Sequence, residues 1–237
     1  MSLTNAQDEG GGIGEEAIVE HIFEAVIEQR LPPGTKLSES ALCEAFGVGR
    51  MRIRRALLLL SSRQVVDLHA NRGAYVARPS AKQAQEVFEA RLALEPTIAR
   101  LAVRRASDAE IATLAGHIER EHQAHHHKQR REAIRLSGQF HSLLAEVAGN
   151  SVLERVMKEL VIRTSLIIGI FGANDMTDCR DHDHSAIVDA IRCRDEEESA
   201  RLMFQHLDRI RMDLDYAKVD AVGTDLVAIL RQGAGPR

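Results

Sequence analysis

The stretch GRMRIRRALLLL, Gly49–Leu60, holds four arginines, at 50, 52, 54 and 55, inside a 237-residue chain of formal net charge −4. At about 100° per residue, Ile53, Ala56, Leu57 and Leu60 fall on one helical stripe, which must face a core. Arg50 and Arg54, one turn apart, share a flank of the opposite surface. Arg52 and Arg55 project from the other side, and the C-terminal half of the helix is left apolar for packing. The helix dipole favours anions at an N-terminus, so it does not explain arginines there. A phosphate backbone or a base edge would supply the counter-charge. From Arg30 to Arg78 nine basic residues face three acidic ones, a net charge of +6. Such asymmetry is the electrostatic footprint of nucleic-acid binding.

The flanking patterns extend this helix into a small domain. Glu15–Arg30 carries Ile18, Ile22, Val26 and Ile27 at three- and four-residue steps, which predicts a first helix. Leu31-Pro32-Pro33-Gly34 ends it in a turn. Ser38 is placed to cap a short helix through Phe46 that buries Leu42 and Phe46, and Gly47 closes it. After Ser62, VVDLHANRGAYVA predicts strands Val65–His69 and Ala74–Ala77, joined by a turn at Asn71-Arg72-Gly73. Helix, helix, turn, helix, hairpin is the order of a winged helix-turn-helix.

The chain divides near Pro79-Ser80. Beyond it the periodicity is helical: 80–104, 107–128, 131–148, 151–171, 183–193, 196–217 and 220–231, with breaks at Ser107-Asp108, Gly149-Asn150, Gly172-Ala173-Asn174 and Cys193-Arg194-Asp195. The expected fold is therefore mainly α: residues 13–79 a winged helix-turn-helix with a small β-hairpin, residues 80–237 an all-helical bundle. Residues 1–12 read as a disordered leader. Aromatics are only 3% and tryptophan is absent, which suits helix packing rather than β-sandwich layers. Cys43, Cys179 and Cys193 fit no zinc-knuckle or CxxC spacing, and a sparse, odd count suits a reducing cytoplasm. No apolar run approaches the ~20 residues of a membrane span.

The segment LPPGTKLSESALCEAFGVGRMRIRRALLLLSSRQVVDLHANRGAYVA, residues 31–77, resembles the DNA-binding domain of the GntR family of bacterial transcription regulators. Pro33-Gly34, Leu37, Glu39, Leu42, Gly47-Val48, Arg50, Ile53-Arg54, Ala56-Leu57 and Asn71-Arg72-Gly73-Ala74 stand where that family's pattern asks. Gly49 replaces its usual Ser, Arg52 a frequent Pro and Arg55 the usual Glu. The resemblance implies that Arg50 and Arg54 contact operator DNA and that Gly73 brings the wing to the minor groove. With Arg52, Arg55 and Arg72 these form the expected DNA-binding set.

The rest of the chain is similar to the FCD ligand-binding domain of the FadR subfamily. The marks are EVFEARLALEPTIARLA (86–102, with Arg91 and Glu95), FHSLLAEVAGNSVL (140–153), HSAIVDAI (184–191) and the AxxxxxHL spacing of Ala200–Leu207. In such domains an Asp and three histidines hold a divalent metal. Those positions fall here on Ser137, His141, His184 and His206. The histidines match, and Ser137 stands where the acid is expected. Imidazole suits zinc, nickel, copper or iron, and three nitrogens can hold a metal with waters completing the shell; a metal-free polar pocket using the same histidines is the alternative. Arg91, His141, His184 and His206 form the expected effector set. Either a metal with open positions or histidines plus Arg91 favours a small carboxylate. The denser cluster of His122, His125, His126 and His127 reads as a solvated face, and His182 as exposed or outside the ligand set.

These features lead to a cytoplasmic DNA-binding regulator, a repressor acting as a homodimer on a pseudo-palindromic operator and sensing an organic acid, with no membrane partner and no catalytic residues. The alternatives are a metal-dependent enzyme on the tri-histidine site and an RNA-binding or architectural module. No acid is positioned as a general base near His141, and the shortage of aromatics argues against single-strand binding.

Overall fold

The computed structural model describes residues 13–172 and 182–217. The expected leader at 1–12, the expected helix at 220–231 and Cys179 lie outside the described residues. The described residues comprise α1 (Glu15–Ile27), β1 (Lys36–Leu37), α2 (Glu39–Phe46), α3 (Arg50–Ser62), β2 (Val66–His69), β3 (Gly73–Val76), α4 (Ala81–Arg105), α5 (Asp108–His126), α6 (Arg130–Val147), α7 (Ser151–Phe171), α8 (Asp183–Arg192) and α9 (Glu196–Met212). The fold is mainly α with one small antiparallel sheet.

The first helix is three residues shorter than its apolar pattern suggests. Gln29 adopts φ +56°, and the Leu31 amide donates to the Ala25 carbonyl at 2.9 Å, which closes the C-terminus. Ser38 caps α2 by accepting from the Ala41 amide, and Gly47 ends it at φ +65°. Leu42 is buried there, but Phe46 is only half-buried and meets the His21 ring edge-on. In α3, Ile53, Ala56, Leu57 and Leu60 are buried as the stripe requires. Its C-terminal half is not wholly given to packing, since Leu58 is 60% exposed and Leu59 38%.

The wing has three strands rather than two, in the order β1-β3-β2. The short edge strand β1 pairs Lys36 with Tyr75 and Leu37 with Ala74. Two residues carry no readable alternation. The pairing is set by neighbouring backbone bonds instead, the Val76 amide to the Thr35 carbonyl and the Gly34 amide to the Val76 carbonyl, both 2.8 Å. The hairpin turn falls where expected, with Asn71 at φ +61° and Gly73 at φ +91°.

In the helical part, Ser80 at the boundary and the breaks at Ser107-Asp108, Gly149-Asn150 and Cys193-Arg194-Asp195 supply side-chain caps. Ser80 and Ser107 form capping boxes with Gln83 and Glu110, while Asn150 and Asp195 cap α7 and α9. Helix α9 ends at Met212, five residues earlier than its pattern, and the chain turns so that the Asp215 amide reaches the Phe171 carbonyl. Helix α4 runs through the middle of the bundle against α6, α7, α8 and α9. Its Phe88, with Leu114, Phe140, Ile167, Met203 and Leu207, fills the core. A Cβ on Gly138 would stand 3.2 Å from Val161 Cγ1, so α6 carries a glycine where α7 crosses it closely.

The boundary at residue 79 is crossed in space. Ile162 and Leu166 of α7 are buried in the same apolar cluster as Ile22, Leu31 and Leu60 of the winged part. The two cores thus share one helix.

Candidate functional site

Helix α3 and the wing enclose an open cleft of about 600 Å³. Arg50, Arg54, Arg72 and Gly73 line it, as do Lys36 and His69. Gly49, the N-cap of α3, provides no side-chain acceptor and the first turn holds no acid. The amide groups there are thus free of a side-chain cap, at the end of the helix dipole that attracts anions. Arg54 donates through Nε to Glu39 Oε1 at 2.8 Å across the α2–α3 turn. The structure separates the four helix arginines more sharply than the helical wheel does. Arg52 Nη1 donates to the Ile13 carbonyl at 3.3 Å, and Arg55 Nη1 to Glu15 Oε1 at 3.1 Å. Those two are turned to the start of α1, whereas Arg50 and Arg54 face the wing.

The second site lies inside the bundle. His141 from α6, His184 from α8 and His206 from α9 are buried, and one ring nitrogen of each lies within 4.8 Å of those of the other two. Each of the three also bonds a carboxylate through Nδ1: His141 to Glu95 Oε2 at 2.5 Å, His184 to Glu121 Oε2 at 2.9 Å, and His206 to Asp183 Oδ2 at 3.1 Å. Burial would push Glu95 up, but Arg91 and His141 outweigh it and hold the carboxyl at about 2. Glu121 and Asp183 are likewise lowered by their histidines despite burial, Asp183 also by Arg209. Burial pushes His141 down to about 4 and His206 well below the ordinary histidine value. His141 and His206 are thus neutral rings against ionised acids, so Nδ1–H donates in those two pairs and Nε2 keeps its lone pair, while His184 Nδ1–H donates to Glu121.

That arrangement tests whether a divalent metal fits. His184 Nε2 and His206 Nε2 are 3.1 Å apart. Two ring nitrogens at that distance need a proton or a metal ion between them. Carboxylate–histidine pairs that fix the tautomer and leave Nε2 inward are the outer shell of a metal-binding histidine. The donor set therefore fits a divalent ion with nitrogen preference, such as zinc or nickel. Ser137 lies on α6 one turn before His141 and is half-buried.

Arg91 adjoins this site and is 2% exposed. Its Nε donates to Glu95 and its Nη1 to Thr164 Oγ1 at 3.1 Å, while Nη2 is buried without a partner. An orphaned guanidinium nitrogen one carboxylate away from the histidines is a ready anion contact.

Sequence reading brought together the three histidines and Arg91, but missed most of what holds them. Glu121 directly precedes the His122–His127 cluster in sequence, yet it points inward and is 5% exposed. Within that cluster His126 and His127 are exposed, but His122 is half-buried and its Nε2 lies 3.0 Å from Ser185 Oγ. Asp183, Thr164 and the buried His117, which bonds the Leu136 carbonyl at 2.8 Å, carried no signal of their own. The one available clue was adjacency: Asp183 directly precedes His184, and Glu121 sits one turn beyond His117 on a buried helix face.

Two family models match. That of the bacterial regulatory proteins, gntR family, covers residues 15–76, and that of the FCD domain covers residues 86–209. The HTH-type transcriptional repressor NanR of Escherichia coli K12 is 30% identical over 222 residues, spanning 81% of this chain and 81% of that protein. The Uxu operon regulator of Haemophilus influenzae is 28% identical over 200 residues, 76% of this chain and 74% of its own. Among solved structures, E. coli McbR/YncC superposes with a TM-score of 0.74 at 18% identity, covering 93% of this chain and 98% of that one. A transcriptional regulator GntR from Rhodococcus sp. RHA1 gives 0.72 at 20% identity, covering 82% and 94%. At those identities the superpositions show the fold alone. The chain belongs to the GntR family of transcription regulators, with an FCD domain following its winged helix-turn-helix. Among the described residues no helix is long and apolar enough to cross a membrane.

Proposed function

We propose that this chain is a ligand-responsive repressor that binds a pseudo-palindromic operator as a homodimer and releases it when a small carboxylate enters the histidine pocket. The observation that carries the DNA-binding half is the cleft shared by Arg50 and Arg54 of α3 with Arg72 and Gly73 of the wing. Helix α3 would lie in the major groove with its arginines at base edges and phosphates, and the wing would reach the adjacent minor groove. Arg52 and Arg55 belong to the same basic surface, and their bonds to the start of α1 support a role in orienting α3, with phosphate contact at its margin. The unpartnered Arg91 Nη2 supports an anionic effector, and a divalent ion on the three histidines would give the same carboxylate a second anchor. Repression is the sign carried in the name of NanR. The effector acts only through a difference in affinity between two arrangements of the dimer. Against the enzyme reading, Glu95, Glu121 and Asp183 are each spent on a histidine Nδ1, so none of the three is free as a general base.

Two steps test this reading. Duplexes selected from a random library by the full-length protein, then measured by fluorescence anisotropy against unrelated duplex and single-stranded probes, should show tight, salt-sensitive binding to the selected duplex alone. Equal binding to single strands would refute it. An organic-acid library screened by calorimetry should yield carboxylates that lower this affinity, whereas binding of only neutral or cationic compounds would overturn the effector assignment.

A further inference from the structure

Met51 is the second residue of α3 and is 63% exposed. Of the eight large apolar side chains exposed among the described residues, three lie on this helix: Met51, Leu58 and Leu59. At about 100° per residue, Met51 falls opposite the centre of the buried stripe Ile53, Ala56, Leu57 and Leu60, between Arg54 on one side and Arg55 on the other. Leu58, two turns on, continues the same ridge. Single apolar residues scattered over a surface need no explanation. An apolar ridge on the outermost line of a helix that carries four arginines and no acid does.

An occupant of this face has to be anionic at its margins and apolar at one point between them. Duplex DNA meets both conditions. Phosphates flank the major groove, and the base edges within it are hydrogen-bonding groups except for the C5 methyl of thymine. A thioether neither donates nor accepts strongly, so Met51 gains little from the polar edges. Its three rotatable bonds let it fit a methyl group. In a helix lying in the major groove the N-terminal residues reach the base edges. Met51 is at that end, whereas Leu58 lies about 10 Å further along the axis and lines the cleft toward the wing.

We propose that Met51 is a specificity-determining residue that reads a thymine through its C5 methyl group. This rests on the DNA-binding part of the reading above. Arg50 and Arg54 make the polar contacts, and Met51 favours thymine over the other bases at one position of a half-site.

The test uses the duplex selected by the full-length protein, with each thymine replaced in turn by deoxyuridine, which removes only the methyl. At one such position wild type should bind about three- to fivefold more weakly, the loss expected for one methyl-sized group no longer buried. Met51→Ala should bind the parent duplex more weakly by a similar factor and should not distinguish thymine from deoxyuridine there. Met51→Leu, which restores apolar bulk, should keep part of the difference, and Leu58→Ala should leave it intact. Because these side chains are exposed, the variants should melt within about 2 °C of wild type. Indifference of wild type to deoxyuridine at every thymine, or an undiminished difference in Met51→Ala, would overturn the role of Met51 while leaving DNA binding intact. So would a Met51→Ala chain with an altered oligomeric state by light scattering and an unaltered thymine preference, which would give the ridge to a second copy of the chain. If no duplex is selected, the DNA-binding reading and the role of Met51 fall together, and the histidine pocket is untouched.

Discussion

Arg91 on α4 reaches Thr164 on α7 through Nη1 at 3.1 Å, and Thr164 lies between Ile162 and Leu166, which enter the core of the winged domain. The guanidinium beside the histidine pocket is thereby bonded to the helix on which the winged domain is seated. Thr164→Val keeps the shape and removes the acceptor, leaving a second buried Arg91 nitrogen unbonded. Denaturant unfolding should show a loss of about 1–3 kcal/mol. DNA affinity in the absence of effector should stay near that of wild type, whereas the change in DNA affinity caused by an effector should shrink. Equal stability would mean that the Arg91–Thr164 bond carries no net energy.

The separation of the helix arginines gives contrasting outcomes for neighbouring residues. Arg54→Ala should weaken binding to a selected operator about 10–100-fold, equivalent to roughly 1–3 kcal/mol for a base-edge contact, with thermal stability nearly unchanged because the side chain is 55% exposed. Arg55→Ala breaks an exposed pair with Glu15 and should cost stability at most about 1 kcal/mol, with a smaller effect on operator affinity. Anisotropy and thermal unfolding on both variants read this directly; an Arg55→Ala loss as large as that of Arg54→Ala would reverse the assignment.

Ser137 offers a gain of function. It stands one helical turn before His141, so an acid there projects toward the same side of α6. Ser137→Asp should add a charged oxygen ligand to three neutral nitrogens and raise Zn(II) affinity about tenfold or more. An unchanged dissociation constant would show that position 137 does not reach the ion.

The buried histidines set a pH dependence. Stripped of metal, the folded protein holds His141 at about 4, against 6.5 for the free side chain, with His206 also well below it. Between those values the unfolded chain binds more protons than the folded one. Stability therefore rises with pH through the window from 4 to 6.5 and is lost on acidification, by about 1.4 kcal/mol per pH unit for each histidine. Glu95, held at about 2 against 4.5, acts in the same direction from 4.5 downward. The melting temperature of chelator-treated protein should fall steadily as the pH drops from 7 to 4. Added Zn(II) should deepen that dependence, since protons compete for the same nitrogens. A flat profile from 6.5 to 5 would show that these rings are not kept neutral by the fold.

What the sequence determined by itself is what depends on local periodicity and short-range chemistry. The apolar stripe Ile53, Ala56, Leu57, Leu60 defined the face of α3. Ser38, Ser107 and Asn150 announced helix starts, and Asn71-Arg72-Gly73 the turn of the wing. The three pocket histidines were legible only through family spacing, because single histidines 43 and 22 positions apart carry no local signal. Tertiary structure alone decided the rest, and for one reason: those features are contacts between segments distant in sequence. Strand β1 exists because β3 is there to pair with it. Arg52 and Arg55 turn away from the wing because the start of α1 offers a carbonyl and a carboxylate. Glu121, indistinguishable in sequence from the solvated charges beside it, becomes part of the pocket because α5 packs against α8 and brings it to His184.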